Sequence, residues 1–343
     1  MLQLSTYPFE LAFEYPFVTA KGIKTHQPTL VVSLGLGPLR GYGEAPAIHY
    51  YGVTVDQMIG VLESKRQVIE RYALIDPHRF WHFLEHLLPG NNFLIAALDM
   101  AGWDLFAQMR RAPLGNLLGI TGTAPATDYT LGIGTAEEMI MKMKAHPAPV
   151  YKIKIAGPDD LDLIAALRRH TDVPFRADAN EGLNFEDTIR LLPELQRLGV
   201  TLLEQPLPRN ESEAMRELKR LSPIPLFADE SCVVESDVAG CAENFHGINI
   251  KLTKCGGITP AIRMVKQARE LGLKLMFGSM NECSIGTAAL AHLAPLADEL
   301  DADGPLLLRE DVAEGLSFDK GLLRTLPAPG LGIRFLGKPV APQ

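Results

Sequence analysis

The sequence has few of the residues that mark a disulfide-bonded, membrane-spanning or nucleic-acid-binding protein. Its 343 residues include 4 cysteines, and their spacing contains no Cys-x-x-Cys pair, so we expect free thiols rather than a disulfide framework or a zinc site. No run of about 18 uninterrupted apolar residues is present, as a membrane-spanning helix would need. With 33 Lys and Arg against 41 Asp and Glu, the formal charge is −8, which disfavours binding to nucleic acid or to an anionic membrane.

The beginning of the chain carries no sign of an export signal. Glu10 and Glu14 precede the first basic residue, Lys21, whereas a secretory signal has a basic start followed by an apolar stretch. We therefore expect a cytoplasmic protein whose partner is a small molecule. Neither nucleic acid nor a membrane is expected as a partner, and a homo-oligomer is left open.

What is present is the composition of a packed globular protein, with 47 % hydrophobic and 22 % charged residues. Residues 1–116 combine β-rich runs with helical periodicity, which predicts an α+β domain. Residues 117–312 repeat a short apolar strand followed by a helical segment, and eight such strands predict an α/β fold, a modified TIM (β/α) barrel under an N-terminal α+β capping domain. A doubly wound open sheet is the alternative. Residues 313–343 are expected to return to the capping domain.

Charged residues recur at one position of this repeat. Five charged residues follow one another at intervals of 26, 26, 25 and 25 residues: Lys152, Asp178, Glu204, Asp229 and Lys254. Each interval is the length of one strand and one helix. The carboxyl ends of parallel strands in a barrel meet at one face, where active sites lie. We therefore expect these side chains to share one cavity.

The types of these residues indicate a metal and a base. The carboxylates of Asp178, Glu204 and Asp229 are hard oxygen donors that suit Mg²⁺, although each could instead cap a helix. Lys152 and Lys154 are two residues apart, so they face the same side of one strand. An edge strand facing solvent is the alternative. A lysine close to other cations loses its proton more readily and can act as a base.

Five motifs in order make this pattern specific: Tyr151-Lys-Ile-Lys-Ile155, Asp178-Ala-Asn180, Glu204-Gln-Pro206, Asp229-Glu-Ser231 and Lys251-Leu-Thr-Lys-Cys-Gly-Gly257. Together they resemble the muconate-lactonizing-enzyme subgroup of the enolase superfamily over nearly the whole chain. Asp301-Ala-Asp303 is similar to the Asp-x-Asp signature of dipeptide epimerases. In that family the two aspartates hold the free ammonium group of the substrate, because paired carboxylates favour a cation.

This resemblance implies an isomerase with an enolase-like fold that uses Mg²⁺ and inverts the α-carbon of the C-terminal residue of a dipeptide. One lysine removes the α-proton to give an enediolate, and a second returns a proton to the opposite face. We expect Lys154 and Lys254 to be this pair, with Lys251 as the competing candidate for the second base. Lys152 is expected to contact the substrate carboxylate. L-Ala-D/L-Glu is the leading substrate, which implies a role in cell-wall peptide metabolism.

The resemblance also implies residues that line the substrate pocket, which by position are Thr130, Ser279, Met280 and Asn281. Lys24, near Lys21, stands where glutamate-specific members carry a cation for the distal carboxylate and where an arginine is expected. Lysine lacks the bidentate fork of arginine, so an epimerase for other dipeptides is an alternative. An o-succinylbenzoate synthase or muconate cycloisomerase-type lyase is another, as is a relative that binds ligand without catalysis.

Overall fold

The structure is a computed structural model that describes residues 1–19 and 22–341, and it begins with an antiparallel sheet. The strands are β1 (Gln3–Thr19), β2 (Gly22–Leu36) and β3 (Leu39–Pro46), paired in that order. Helices follow it: α1 (Val55–Glu70), α2 (Pro77–Leu87), α3 (Asn92–Met109) and the single turn α4 (Leu114–Leu117). The predicted α+β character of this part of the chain is therefore confirmed.

Local signals in the sequence explain how these helices begin and pack. The hydroxyl of Thr54 accepts a hydrogen bond from the backbone of Gln57 at the start of α1, which satisfies an amide that the helix leaves free. Helix α3 is buried on nearly all sides because β2, β3, α2 and later helices of the chain pack around it. A Cβ at Gly43 would lie 1.9 Å from the Ala97 carbonyl oxygen, so this close approach requires glycine.

The second part of the chain is an eight-stranded parallel sheet in which the spatial order follows the sequence. Its strands are β4 (Tyr129–Leu131), β5 (Tyr151–Lys154), β6 (Phe175–Asp178), β7 (Val200–Glu204), β8 (Leu226–Ala228), β9 (Gly247–Lys251), β10 (Lys274–Gly278) and β11 (Glu299–Asp301). A parallel bridge between Thr127 and Leu300 joins the two edges. The barrel is confirmed, and the open-sheet alternative is wrong because its edges would stay apart.

Helices connect the strands and surround the sheet: α5 (Ala136–Ala145), α6 (Asp160–Arg168), α7 (Phe185–Arg197), α8 (Ser212–Leu221), α9 (Val238–Asn244), α10 (Leu252–Cys255), α11 (Ile258–Glu270), α12 (Ser284–Leu293) and α13 (Gly304–Leu307). The one-turn helix α10 directly follows β9 and precedes the longer α11. This extra turn determines where Lys254 lies. Within the described residues, none of these helices is long and apolar enough to cross a membrane.

The last strands return toward the first sheet. Strand β12 (Asp311–Glu314) pairs with β15 (Arg334–Val340), and β13 (Ser317–Asp319) pairs with β14 (Leu322–Arg324). The ring of Phe335 lies 4.9 Å from that of Tyr7 and 4.8 Å from that of Tyr42. These contacts join Phe335 to residues of β1 and β3, while the domain limits at residues 116 and 312 and the C-terminal segment 313–343 stay predictions.

Buried polar contacts fix the first part of the chain onto the barrel. Asp99 of α3 accepts hydrogen bonds from the Thr259 amide at 2.9 Å and hydroxyl at 2.8 Å. Glu44 of β3 accepts from the amides of Cys283 and Gly286, at the start of α12. A carboxylate is favourable there because a helix N-terminus presents free amides and a partial positive charge.

Candidate active site

Strand ends in this barrel carry the charged residues. The last residues of β5, β6, β7, β9 and β11 are respectively Lys154, Asp178, Glu204, Lys251 and Asp301. Asp229 follows the end of β8 directly. In the strand register Asp178 pairs with both Lys154 and Glu204. The predicted convergence of charges at one face of the barrel is present in the structure.

A cavity of about 380 Å³ lies at this face, between the barrel and the first part of the chain. Its lining includes ten of the thirteen predicted site residues: Lys24, Thr130, Lys152, Lys154, Asp229, Ser279, Met280, Asn281, Asp301 and Asp303. Asp178 and Glu204 are fully buried, and Lys21 lies outside the described residues. Residues that the sequence reasoning did not anticipate also line the cavity, among them Phe17, Ile48, Tyr50, Tyr51 and Asn180.

Lys152 joins three carboxylates at the floor of this cavity. Its Nζ lies 2.6 Å from Asp301 Oδ2, 2.8 Å from Glu204 Oε2 and 3.0 Å from Asp178 Oδ2. Burial lowers the pKa of Lys152, but the charges of Asp178, Asp301 and Glu204 outweigh it and raise that pKa well above its ordinary value. Lys152 therefore stays charged and is unsuited to act as a base.

The carboxyl groups of Asp178 and Glu204 have pKa values shifted in opposite directions although they are neighbours. Burial raises the pKa of Asp178, but the Lys152 and Lys154 ammonium groups outweigh it and lower that pKa below its ordinary value. Burial and then the Asp178 charge raise the pKa of Glu204 to about 7. Because one ammonium contacts both carboxylates, a single cation at this position can reach both.

Asp229 is held by two lysines, of which one faces the cavity. Lys251 Nζ lies 2.8 Å from Asp229 Oδ2, and Lys251 lines the main cavity. Lys254 Nζ lies 2.6 Å from Asp229 Oδ1 and 2.9 Å from the Cys232 carbonyl oxygen. Lys254 lies in α10 and borders a second, smaller cavity of about 230 Å³. Lys254 is not part of the lining of the main cavity, because the chain turns into a helix before reaching it, and its predicted role as a base stays a prediction.

A second group of acids lies beside the floor of the cavity. Carboxylate oxygens of Asp128, Asp301 and Asp303 lie within 4.8 Å of one another, a spacing that could hold a cation. Asp303 Oδ2 accepts a hydrogen bond from the Thr130 amide at 2.6 Å, and Asp128 Oδ2 accepts one from Arg176 at 2.6 Å. Burial and then the Asp301 charge raise the pKa of Asp303 to about 7.

Sequence reasoning missed Asp128 and Arg176, although a signal for Arg176 exists. Arg176 is two residues before Asp178 on β6, so alternation places both on the same side of the strand. The pair Lys152 and Lys154 was recognised by the same rule. Asp128 lies just before β4, where no periodicity marks it.

Lys24 provides an ammonium group at the upper part of the cavity. Its Nζ lies 3.3 Å from Gln27 Oε1, and among the described residues no carboxylate lies within ion-pair distance of it. Burial lowers the pKa of Lys24, and the charge of Lys154 lowers it further. A half-buried ammonium without a carboxylate partner favours an anionic group in the cavity.

Comparison with known proteins finds relatives that share this fold. Residues 135–338 match the family described as enolase C-terminal domain-like. The L-Ala-D/L-amino acid epimerase of Flavobacterium johnsoniae is 40 % identical over 98 % of this chain and 100 % of its own length.

Solved structures agree with this relationship. A substrate-liganded L-Ala-D/L-Glu epimerase from Bacillus subtilis matches with a TM-score of 0.92 at 28 % identity, covering 96 % of this chain and 98 % of that one. A dipeptide epimerase from Methylococcus capsulatus, complexed with Mg and L-Arg-D-Lys, matches with a TM-score of 0.91 at 30 % identity, covering 98 % of this chain and 99 % of that one. This chain therefore belongs to the enolase superfamily, and within it to the dipeptide epimerases.

Proposed function

We propose that this protein is a Mg²⁺-dependent dipeptide epimerase that inverts the α-carbon of the C-terminal residue of its substrate. The observation that carries the proposal is the arrangement of one cavity, whose lining includes two lysines, Lys154 and Lys251, and two acids, Asp301 and Asp303. The lysines can exchange a proton with the α-carbon, and the acids can bind the ammonium group at the other end of the dipeptide.

The barrel places Lys154 and Lys251 on opposite sides of the cavity. Lys154 ends β5 and Lys251 ends β9, and these strands are four positions apart in an eight-stranded barrel. A substrate between them presents one face of its α-carbon to each lysine. Removal of a proton on one face and return of a proton on the other inverts the configuration. We therefore assign Lys154 and Lys251, rather than Lys154 and Lys254, as the base pair.

Asp178, Glu204 and Asp229 are the residues that would hold Mg²⁺. They offer carboxylate oxygens at the ends of three neighbouring strands, which is the donor type that Mg²⁺ prefers. When bound, Mg²⁺ stabilises the negative charge that develops on the substrate carboxylate. Lys152 adds a fixed positive charge beside these ligands.

Lys24 points to an acidic second residue in the dipeptide. Its ammonium group lines the same cavity as Lys154 and has no carboxylate partner among the described residues. We infer that L-Ala-D/L-Glu is the preferred pair. A lysine is a point charge that imposes less geometry than arginine, so dipeptides with other C-terminal residues are expected to react more slowly rather than to be excluded.

The test is an incubation of the purified protein and Mg²⁺ with L-Ala-L-Glu, L-Ala-L-Asp and L-Ala-L-Leu, followed by chiral chromatography. Conversion of each L,L-dipeptide toward a mixture of two diastereomers, with Glu fastest, supports the proposal. The rival lyases act on substrates without an ammonium group, which would leave Asp301 and Asp303 without a ligand. Turnover of such a substrate with no change in any dipeptide would overturn the proposal.

A further inference from the structure

Asp128 lies at the seam where the first and last strands of the barrel meet, and one of its oxygens has no partner. Its amide donates to the Leu300 carbonyl oxygen at 3.3 Å, and the residue is 1 % exposed. Oδ2 accepts a hydrogen bond from Arg176 at 2.6 Å. Oδ1 is buried and has no hydrogen-bond partner among the described residues. Such an oxygen is costly to bury unless a positive charge compensates it.

Asp128 and the acids beside it have fewer cationic side chains in contact with them than there are carboxyl groups. Asp128, Asp301 and Asp303 place carboxylate oxygens within 4.8 Å of one another. The cations that contact this group are Lys152, on Asp301, and Arg176, on Asp128. Both are shared with further carboxylates, which are Asp178, Glu204 and Glu299. The group therefore has fewer contacting cations than acids. Burial and then the Asp301 charge raise the pKa of Asp128 well above its ordinary value, and a ligand cation beside the group would favour its ionised form.

The position of the group indicates where such a cation binds. Asp301 and Asp303 line the main cavity, whereas Asp128 lies behind them and outside its lining. A cation arriving from the cavity meets Asp301 and Asp303 first and also experiences the field of Asp128. An ammonium group suits this side of the cavity, which Asp301 and Asp303 form. Its three N–H groups can donate hydrogen bonds to carboxylate oxygens without displacing Arg176 from Asp128.

We propose that Asp128 is a specificity-determining residue, whose carboxylate behind Asp301 and Asp303 is ionised when an ammonium group binds beside it and makes the cavity select substrates with a free ammonium group over acylated ones. This inference rests on the proposed function and adds to it a third acid that does not touch the substrate. Without the Asp128 carboxylate, Arg176 would keep Glu299 as an ion-pair partner but would contribute more positive potential beside Asp301 and Asp303. Ammonium binding would weaken, and the chemistry at the α-carbon would be unaffected.

The test compares Asp128→Asn with the wild-type protein on L-Ala-L-Glu and N-acetyl-L-Ala-L-Glu. We expect the KM for the free dipeptide to rise about tenfold or more at unchanged kcat, because a buried charge acts strongly over a few ångströms. The KM for the acetylated dipeptide should not rise. Glu299→Gln is the matched control, since Glu299 also contacts Arg176 but is partly exposed. Asp128→Glu should restore the preference.

Several results would overturn the inference. One is a KM for the free dipeptide that stays the same in Asp128→Asn, or that rises equally for both substrates. Another is the loss of one of two Mg²⁺ equivalents in calorimetry, which would make the group a metal site. If Asp128→Asn does not fold, Asp128→Ser leaves room for a water and serves as the second variant. If the wild-type protein epimerises no dipeptide, calorimetric binding of the two dipeptides with Mg²⁺ present still tests Asp128 separately.

Discussion

The Lys254 ammonium group lies 2.6 Å from Oδ1 of Asp229 and 2.5 Å from the carbonyl oxygen of the same residue. Lys254 is 1 % exposed and does not line the main cavity. An ammonium group that is held by a carboxylate and by backbone carbonyls is fixed in place. Lys254 is therefore suited to position Asp229, whereas Lys251, on the other oxygen, lines the main cavity.

Lys251→Met and Lys254→Met should have different kinetic signatures. A missing general base or acid costs about 10²- to 10⁴-fold in rate, so Lys251→Met should abolish epimerisation. Exchange of the α-proton with solvent should continue for one diastereomer, through Lys154. Lys254→Met should lower the rate of α-proton exchange by the same factor for both diastereomers. It should also weaken Mg²⁺ binding about 10- to 100-fold, because Lys254 orients a metal ligand. Proton NMR and calorimetry measure these effects.

The control for both variants is Lys266→Met, on an exposed part of α11, which should change neither rate nor metal binding. A Lys254→Met protein that loses exchange of one diastereomer while its Mg²⁺ affinity stays unchanged would contradict our assignment and restore Lys254 as a base.

Dipeptide binding should strengthen as the pH rises through about 7. The pKa of Asp303 is raised to about 7 in the protein without substrate, and only its ionised form attracts an ammonium group. The proton must leave for substrate to bind, so kcat/KM should rise up to about tenfold per pH unit below 7 and level off above it. Asp303→Asn should remove this dependence and raise KM while Mg²⁺ binding persists. A profile that is unchanged in Asp303→Asn would exclude Asp303 as its origin.

Substitution of Lys24 should change the KM of dipeptides with an acidic C-terminal residue and leave that of other dipeptides unaffected or lower. Lys24→Met removes an ammonium group that has no carboxylate partner among the described residues, so KM for L-Ala-L-Glu should rise about tenfold. KM for L-Ala-L-Leu should stay equal or fall. Lys24→Arg should keep the preference for glutamate or sharpen it. Equal losses on both dipeptides would show that Lys24 does not bind the side-chain carboxylate.

Glu44 should matter for stability more than for chemistry. It accepts hydrogen bonds from the Cys283 amide at 3.0 Å and the Gly286 amide at 3.1 Å. Glu44→Ala leaves these buried donors unpaired, which should lower the free energy of unfolding by about 2 kcal/mol or more. Urea unfolding measures the loss. Glu44→Gln keeps an acceptor, so its effect should be smaller, and an equally large loss in both would mean that the charge itself is needed.

The sequence was sufficient to predict the barrel because its repeat is regular. Spacing of 25 or 26 residues between charges placed Asp178, Glu204 and Asp229 on successive strand ends, and the structure has them there. The same count selected Lys254 because it measures distance along the chain and does not detect the one-turn helix after β9. Lys251 is the last residue of β9 and lines the main cavity, which is why we propose it in place of Lys254.

Contacts across the barrel could not be read from spacing. Arg176 of β6 and Glu299 of β11 are 123 residues apart in sequence and form an ion pair, which depends on closure of the sheet between its first and last strands. The cytoplasmic location expected from the sequence stays a prediction, and the homo-oligomer stays open.

Proton NMR of L-Ala-L-Glu with the protein and Mg²⁺ in D₂O tests the central claim most directly. Our account predicts that the glutamyl α-proton signal is lost to deuterium while signals of L-Ala-D-Glu grow, and that the alanyl α-proton is untouched. Exchange at the alanyl α-carbon, or none at either carbon for any dipeptide, would contradict it.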